Sequence, residues 1–161
     1  MGFNTNATNS SVVYVTGTRE TKVLTADTAV TSDATLTTEA GLTIKLGPYE
    51  RIAFRYNIHY STHADADFKY LVNVPAAITS YRLAATGVGP DAAEISAAPI
   101  TAEGSAVAIT ASSGTEGYLG LEGTLENGAS AATLEFQWAQ NSSDSNATTV
   151  RHGSSVEYIK Y

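Results

Sequence analysis

The chain is predicted to be all-β, an antiparallel β-sandwich of jelly-roll-like form with about nine to eleven strands. Three observations predict it. Residues 49–60 alternate apolar and polar side chains without a break, with Ile52, Phe54, Tyr56 and Ile58 on one face and Arg51, Ala53, Arg55, Asn57 and His59 on the other. A period of two held that long marks a strand with one buried and one wet face. Two further alternating runs flank Asn127-Gly128, the dipeptide that suits a tight hairpin. No stretch of about ten residues repeats its apolar positions every 3.6, so the crossover helices of a parallel α/β fold are not expected.

Composition agrees. Of 161 residues, 43% are hydrophobic and 16% charged, the latter below the ~25% of an average soluble domain. Thr, Ser, Ala, Gly and Asn make up the difference, a mixture suited to strands separated by turns. The length is right for one domain with its own core. The expected division is a flexible N-terminal arm over residues 1–11, polar and without period, followed by a single jelly-roll-like β domain over 12–161.

In chain order, short strands are expected at 22–25, 35–36 and 42–46, the last two separated by a turn at Glu39-Ala40-Gly41. Gly47-Pro48 breaks the chain before the long strand at 49–60. Residues 68–74 repeat the alternation with Phe68, Tyr70, Val72 and Val74, and Pro75 ends it for want of an N–H. A strand at 78–85 has Tyr81 and Leu83 inward. Residues 87–104 hold Pro90 and Pro99 and form a long connection with a short strand near Ile95, after which 106–111 resumes the pattern. Leu119, Leu121 and Leu125 face one way against Tyr118, Glu122, Thr124 and Glu126. After Asn127-Gly128, Leu134, Phe136 and Trp138 alternate with Thr133, Glu135 and Gln137, so the two runs are predicted to pair as a β-hairpin. Strands at 148–151 and 155–161 close the chain.

Charge and residue usage exclude several functions. The net charge is −7 and the pI about 4.8. Nine scattered Lys and Arg make no basic face for phosphates, so nucleic acid is not an expected partner, nor is an anionic membrane. With no cysteine there is no disulfide scaffold and no thiolate chemistry. The opening Met-Gly-Phe-Asn-Thr-Asn lacks the basic and apolar regions of a secretory signal, and no run of ~18 apolar residues could span a bilayer.

One constellation has metal-ligand chemistry. His59, His63, Asp65 and Asp67 offer two imidazoles and two carboxylates, but their spacing fits neither an EF-hand nor a zincin, and the favoured reading of His-Ala-Asp-Ala-Asp between two strands is a solvated hairpin loop. No G-x-S-x-G elbow surrounds a serine, and His152 stands in a turn before Gly153. Glu116, Glu122, Glu126 and Glu135 all take outward phases, unlike a facing glycosidase pair. Gly87-Val88-Gly89 runs into Pro90 rather than into a phosphate-cradling helix. No catalytic residue and no cofactor are assigned, and the chain is not expected to be an enzyme. The nine tyrosines are compatible with either an aromatic core or a subunit interface.

The segment from Gly120 through Asn127-Gly128-Ala129 to Leu134-Glu135-Phe136-Gln137-Trp138-Ala139-Gln140-Asn141, then 147–151 and Gly153-Ser154-Ser155-Val156-Glu157-Tyr158, resembles structural proteins of tailed bacteriophage virions. Leu24-Thr25-Ala26-Asp27 and residues 42–56 are similar to the opening of that family, so the resemblance spans about 22–161 and is weakest over 87–104. It implies a β-sandwich or jelly-roll unit, commonly trimeric, with no catalytic motif. The expectation is a head decoration (cement) protein that binds the major capsid protein as a homotrimer on the virion surface, made in the bacterial host cytoplasm. The alternative is a tail-associated receptor- or carbohydrate-binding module. That role would need an exposed Trp138 or Tyr118 to stack on a sugar, and Trp138, in phase with Leu134 and Phe136, should be buried.

Overall fold

The computed structural model describes residues 17–76, 78–88, 94–96, 106–109 and 116–161. The arm expected at 1–11 lies outside them, as does most of the connection at 87–104. The fold is all-β. Thirteen strands occur among the described residues, more than the nine to eleven expected: β1 (Arg19–Val23), β2 (Thr28–Val30), β3 (Thr37–Thr38), β4 (Ile44–Leu46), β5 (Arg51–Ser61), β6 (Phe68–Asn73), β7 (Ser80–Val88), β8 (Glu94–Ser96), β9 (Val107–Ile109), β10 (Glu116–Glu126), β11 (Ala132–Gln140), β12 (Thr148–Val150) and β13 (Ser155–Lys160). The surplus comes from short strands, β2 among them, whose three residues are too few to show a period.

The strands form two antiparallel sheets. The larger runs β1-β13-β5-β10-β7-β8, with β12 pairing β2 and β5, and the smaller runs β3-β11-β6-β9, with β4 also on β11. The pairing follows one rule. β1 meets β13, β3 and β4 meet β11, β5 meets β10, and β6 meets β9. First therefore pairs with last, second with second-last, and so inward, as in one long antiparallel ribbon folded over on itself. The pairs β13–β5 and β11–β6 then close the ribbon into a roll. This is the winding of a jelly roll, with β7 and β8 inserted and added to the β10 edge.

The core lies between the sheets. β5 supplies Ile52, Phe54, Tyr56, Ile58 and Tyr60, and β10 supplies Leu119, Leu121 and Leu125. From the other sheet come Phe68, Tyr70, Val72, Leu134, Phe136 and Trp138. The rings interlock in the interior: Tyr56 to Phe136 at 5.7 Å and Tyr60 stacked on Phe68 at 4.2 Å join the two sheets, and Phe68 lies on Trp138 at 6.1 Å between centroids within the smaller one. Each fully buried large side chain contributes about 1.5–3 kcal/mol. Tyr56, Tyr60, Tyr70, Tyr81 and Tyr158 are buried here, whereas Tyr49 and Tyr161 are exposed.

Four local expectations are corrected. The turn at Glu39-Ala40-Gly41 is a single 3-10 turn over Ala40–Leu42 that drives Leu42 fully into the core. The strand expected at 35–36 falls two residues later, at β3. Most consequential, β10 and β11 are not a hairpin. β10 is flanked on both sides by β5 and β7, so β11 has no free edge to join and passes to the opposite sheet. The apolar faces of the two runs cover each other instead of lying side by side. Neither Asn127 nor Gly128 takes a positive φ. Asn127 is fully buried, and its amide donates to the carbonyls of Gly47 and Ser130, both at 2.7 Å, pinning the corner. The connection at 62–67 likewise leads from one sheet to the other and is not a hairpin loop.

Candidate functional site

The most distinctive surface is the outer face of the larger sheet, where the wet phases of five strands meet. The register arranges them in rows across the strands. One row reads Arg19, Ile159, Ala53, Thr124, Arg82 from β1 to β7. The next reads Thr21, Glu157, Arg55, Glu122, Ala84. On the other side stand Arg51 and Glu126, directly opposite each other. The middle of the first row, Ile159, Ala53 and Thr124, carries no long charged side chain, whereas such side chains stand at its ends and in the row beside it. The result is an open groove of about 620 Å³ lined chiefly by Arg19, Arg55, Arg82, Glu122, Thr124 and Ile159.

The charges around this groove are partly matched. Arg55 Nε lies 3.2 Å from Glu122, Arg51 Nε 3.0 Å from Glu126, and Arg19 3.5 Å from Glu157. The bond to Glu126 holds the Arg51 guanidinium more firmly charged than usual. All three pairs are at the surface, where water and salt screen such contacts and leave them weak. Arg82 is different. It faces Thr124 across the sheet and has no hydrogen-bond or ion-pair partner among the described residues. Four of the five arginines of a chain with net charge −7 stand on this one face. Sequence reading treated them as scattered. A signal existed in the shared phase of Arg51 and Arg55 on one strand and of Glu122 and Glu126 on another, but placing Arg19 and Arg82 beside them required the strand order.

The metal-ligand candidates are separated by the fold. His59 is on the outer face of β5, its ring 5.3 Å from that of Tyr118. His63 and Asp65 lie in the connection beyond, with Nδ1 of His63 accepting from the Asp65 N–H at 3.3 Å and lying 3.4 Å from its carboxylate. Asp67 turns the chain with a φ of 52°. The backbone carbonyl of His63 receives the N–H groups of Ala66 and Asp67, so this segment is organised as a turn. Among the described residues, no group of three or more His, Cys, Asp or Glu is placed to hold a metal ion.

His152 is exposed and belongs to an ionic clasp that sequence reading missed. Arg151 contacts Glu116 at 2.7 Å and Asp27 at 2.9 Å, while Asp27 accepts the His152 N–H at 2.8 Å. Hydrogen bonds from His152 and Arg151 hold the Asp27 carboxyl well below the usual carboxylate range. A second surprise is Glu39, which is buried. Its carboxylate accepts from the Thr28 hydroxyl at 2.7 Å and from Trp138 Nε1 at 3.4 Å, giving the indole its polar partner inside the core.

No family model matches the chain, and no curated protein matches it. Two solved structures of infectious bursal disease virus are similar over most of its length. The Gx strain covers 89% of the chain at 12% identity with a TM-score of 0.21, and the Gt strain 90% at 8% with 0.20. The chain spans 40% and 41% of the length of those two chains. Likeness at this level carries nothing about the fold or role of this protein.

Proposed function

We propose that the protein is a structural subunit of a tailed-phage virion, a head decoration protein that binds the major capsid protein as a homotrimer on the capsid surface. The reading rests on the resemblance of residues 120–158, and the observation that supports it is the work those residues do in the fold. Gly123 brings β10 against Phe54, where a Cβ would come within 2.5 Å of the ring. Asn127 pins the corner between the sheets, Trp138 fills the core, and Ser154 donates to the His59 carbonyl at 3.2 Å to seat the last turn. The matched residues therefore maintain architecture, as a subunit of an assembly requires.

The tail-associated carbohydrate reading has one residue in its favour. Tyr118 is half-buried on the outer face beside His59, although its hydroxyl already donates to Asn57 Oδ1 at 2.8 Å. Trp138, 2% exposed, is out of reach of any glycan.

Light scattering on the purified protein is expected to give a trimer mass. Deleting residues 1–11 is expected to leave the fold intact by circular dichroism and to lower occupancy on purified capsids. A monomer with no capsid affinity overturns the reading, and unchanged occupancy after deletion removes the arm from it.

A further inference from the structure

We infer that the groove across the larger sheet is a docking site for an extended acidic segment of a partner protein chain, with a carboxylate of that segment seated on Arg82. The inference rests on the assembly reading in one respect, that the occupant is a polypeptide.

The shape comes from the register. Arg19 on β1 and Arg82 on β7 mark the two ends of one row, four strand spacings apart. At about 4.8 Å per spacing the row is ~19 Å long, the reach of about six extended residues. Between the arginines the floor is Ile159, Ala53 and Thr124, which suits small apolar side chains. The wall formed by Glu157, Arg55 and Glu122 alternates in sign: Arg55 is matched by Glu122, and Glu157 has its long contact to Arg19 at the end of the row.

The charge is left over at the ends. Arg82 has no described partner, and Arg19 has only the long 3.5 Å contact to Glu157 with both side chains largely in water. A guanidinium presents a fork that a carboxylate satisfies with two parallel N–H···O bonds. A segment acidic at its ends and apolar between therefore complements the row, while a basic one meets two arginines.

The probe is a fluorescent hexapeptide, acetyl-Glu-Ala-Val-Ala-Ala-Glu-amide, titrated by anisotropy against the full chain at low salt. Its counterpart carries Gln at both ends. The expected result is saturable binding of the diacid, at least tenfold weaker binding of the Gln peptide, and loss of affinity as salt is raised. Arg82→Gln, an exposed change that leaves the core untouched, is expected to weaken the diacid about tenfold. Ala53→Leu, which raises the floor, should reduce binding of both peptides. Equal affinity for the two peptides, no saturable binding, or an unchanged Arg82→Gln each overturns the inference. Binding of a galacturonate oligomer but not the peptide assigns the groove to acidic glycans and overturns it as well. A chain that forms trimers on capsids yet ignores the diacid loses only the groove. One that binds the diacid but neither trimerises nor meets capsids loses only the virion reading.

Discussion

Tyr56 and Tyr70 place hydroxyls in the interior, and neither hydroxyl has a hydrogen-bond partner among the described residues. A buried hydroxyl left unpaired costs on the order of 1–3 kcal/mol, whereas its removal leaves the ring packing in place. Tyr56→Phe is therefore expected to leave stability unchanged or raise it by about 1 kcal/mol, measured by urea unfolding. A loss above about 1 kcal/mol would reveal a partner for that hydroxyl. The same burial works on ionisation. It pushes the Tyr70 phenol up to about 12 and those of Tyr56 and Tyr81 higher still. Unfolded tyrosines release their protons near pH 10, so above that value the unfolded chain sheds protons that the folded chain retains. Stability contributed by these phenols is fully present below pH 10 and falls as pH rises from there toward the folded values. Thermal scans should show Tm dropping above pH 10, with the 295 nm tyrosinate signal rising together with loss of the β-sheet signal. Tyrosinate appearing well before unfolding would contradict the buried placement.

At the scale of elements, the corner at Asn127 joins the two sheets with one side chain. Its backbone N–H also donates to the Glu50 carbonyl at 2.9 Å, tying it to the turn before β5. Asn127→Ala removes both amide donors, leaving the Gly47 carbonyl with only the 3.4 Å bond from the Glu50 N–H and the Ser130 carbonyl to water, so a loss of about 1–3 kcal/mol is expected in denaturant unfolding. Asn127→Asp should cost at least as much, since a carboxylate cannot donate to those carbonyls; wild-type stability in either variant would mean that the corner is held from elsewhere. The same corner shows what was legible in the sequence. The strands flanking it were, because alternation over residues 49–60, 119–125 and 134–138 records one wet and one dry face. Which sheet each strand joins was not, because an Asn-Gly between two amphipathic runs is equally compatible with strands side by side and strands face to face. Short elements such as β2 and β8 carry too few residues to show a period, and Glu39 looked like a turn residue because its partners, Thr28 and Trp138, come from far along the chain. The groove is the extreme case. Its two end arginines lie 63 positions apart in the numbering, from Arg19 to Arg82, and only the strand order makes them ends of one row.

For the whole molecule, the nested pairing fixes what an assembly partner can meet. The interior is filled by two facing sheets, so recognition belongs to the outer faces, the edges and the turns. The outer face of the larger sheet gathers four of the five arginines of an otherwise acidic protein. The expected trimer and the expected acidic segment are compatible occupants when the two complementary patches that a three-fold ring needs on each subunit lie outside the groove.

The position of β13 has a consequence in time. β13 lies between β1 and β5, one strand in from the edge of the larger sheet, and β10, from the last third of the chain, covers the other flank of β5. During synthesis, β5 therefore emerges from the ribosome with neither neighbour yet made: one edge waits about 60 further residues for β10, and the other waits roughly a hundred, from about 60 to 160, for β13. At about 5–20 residues per second, that interval lasts on the order of 5–20 seconds. The domain cannot mature progressively from β1 onward. It completes the roll only once β13 is available, in a slow step dominated by contacts between distant segments.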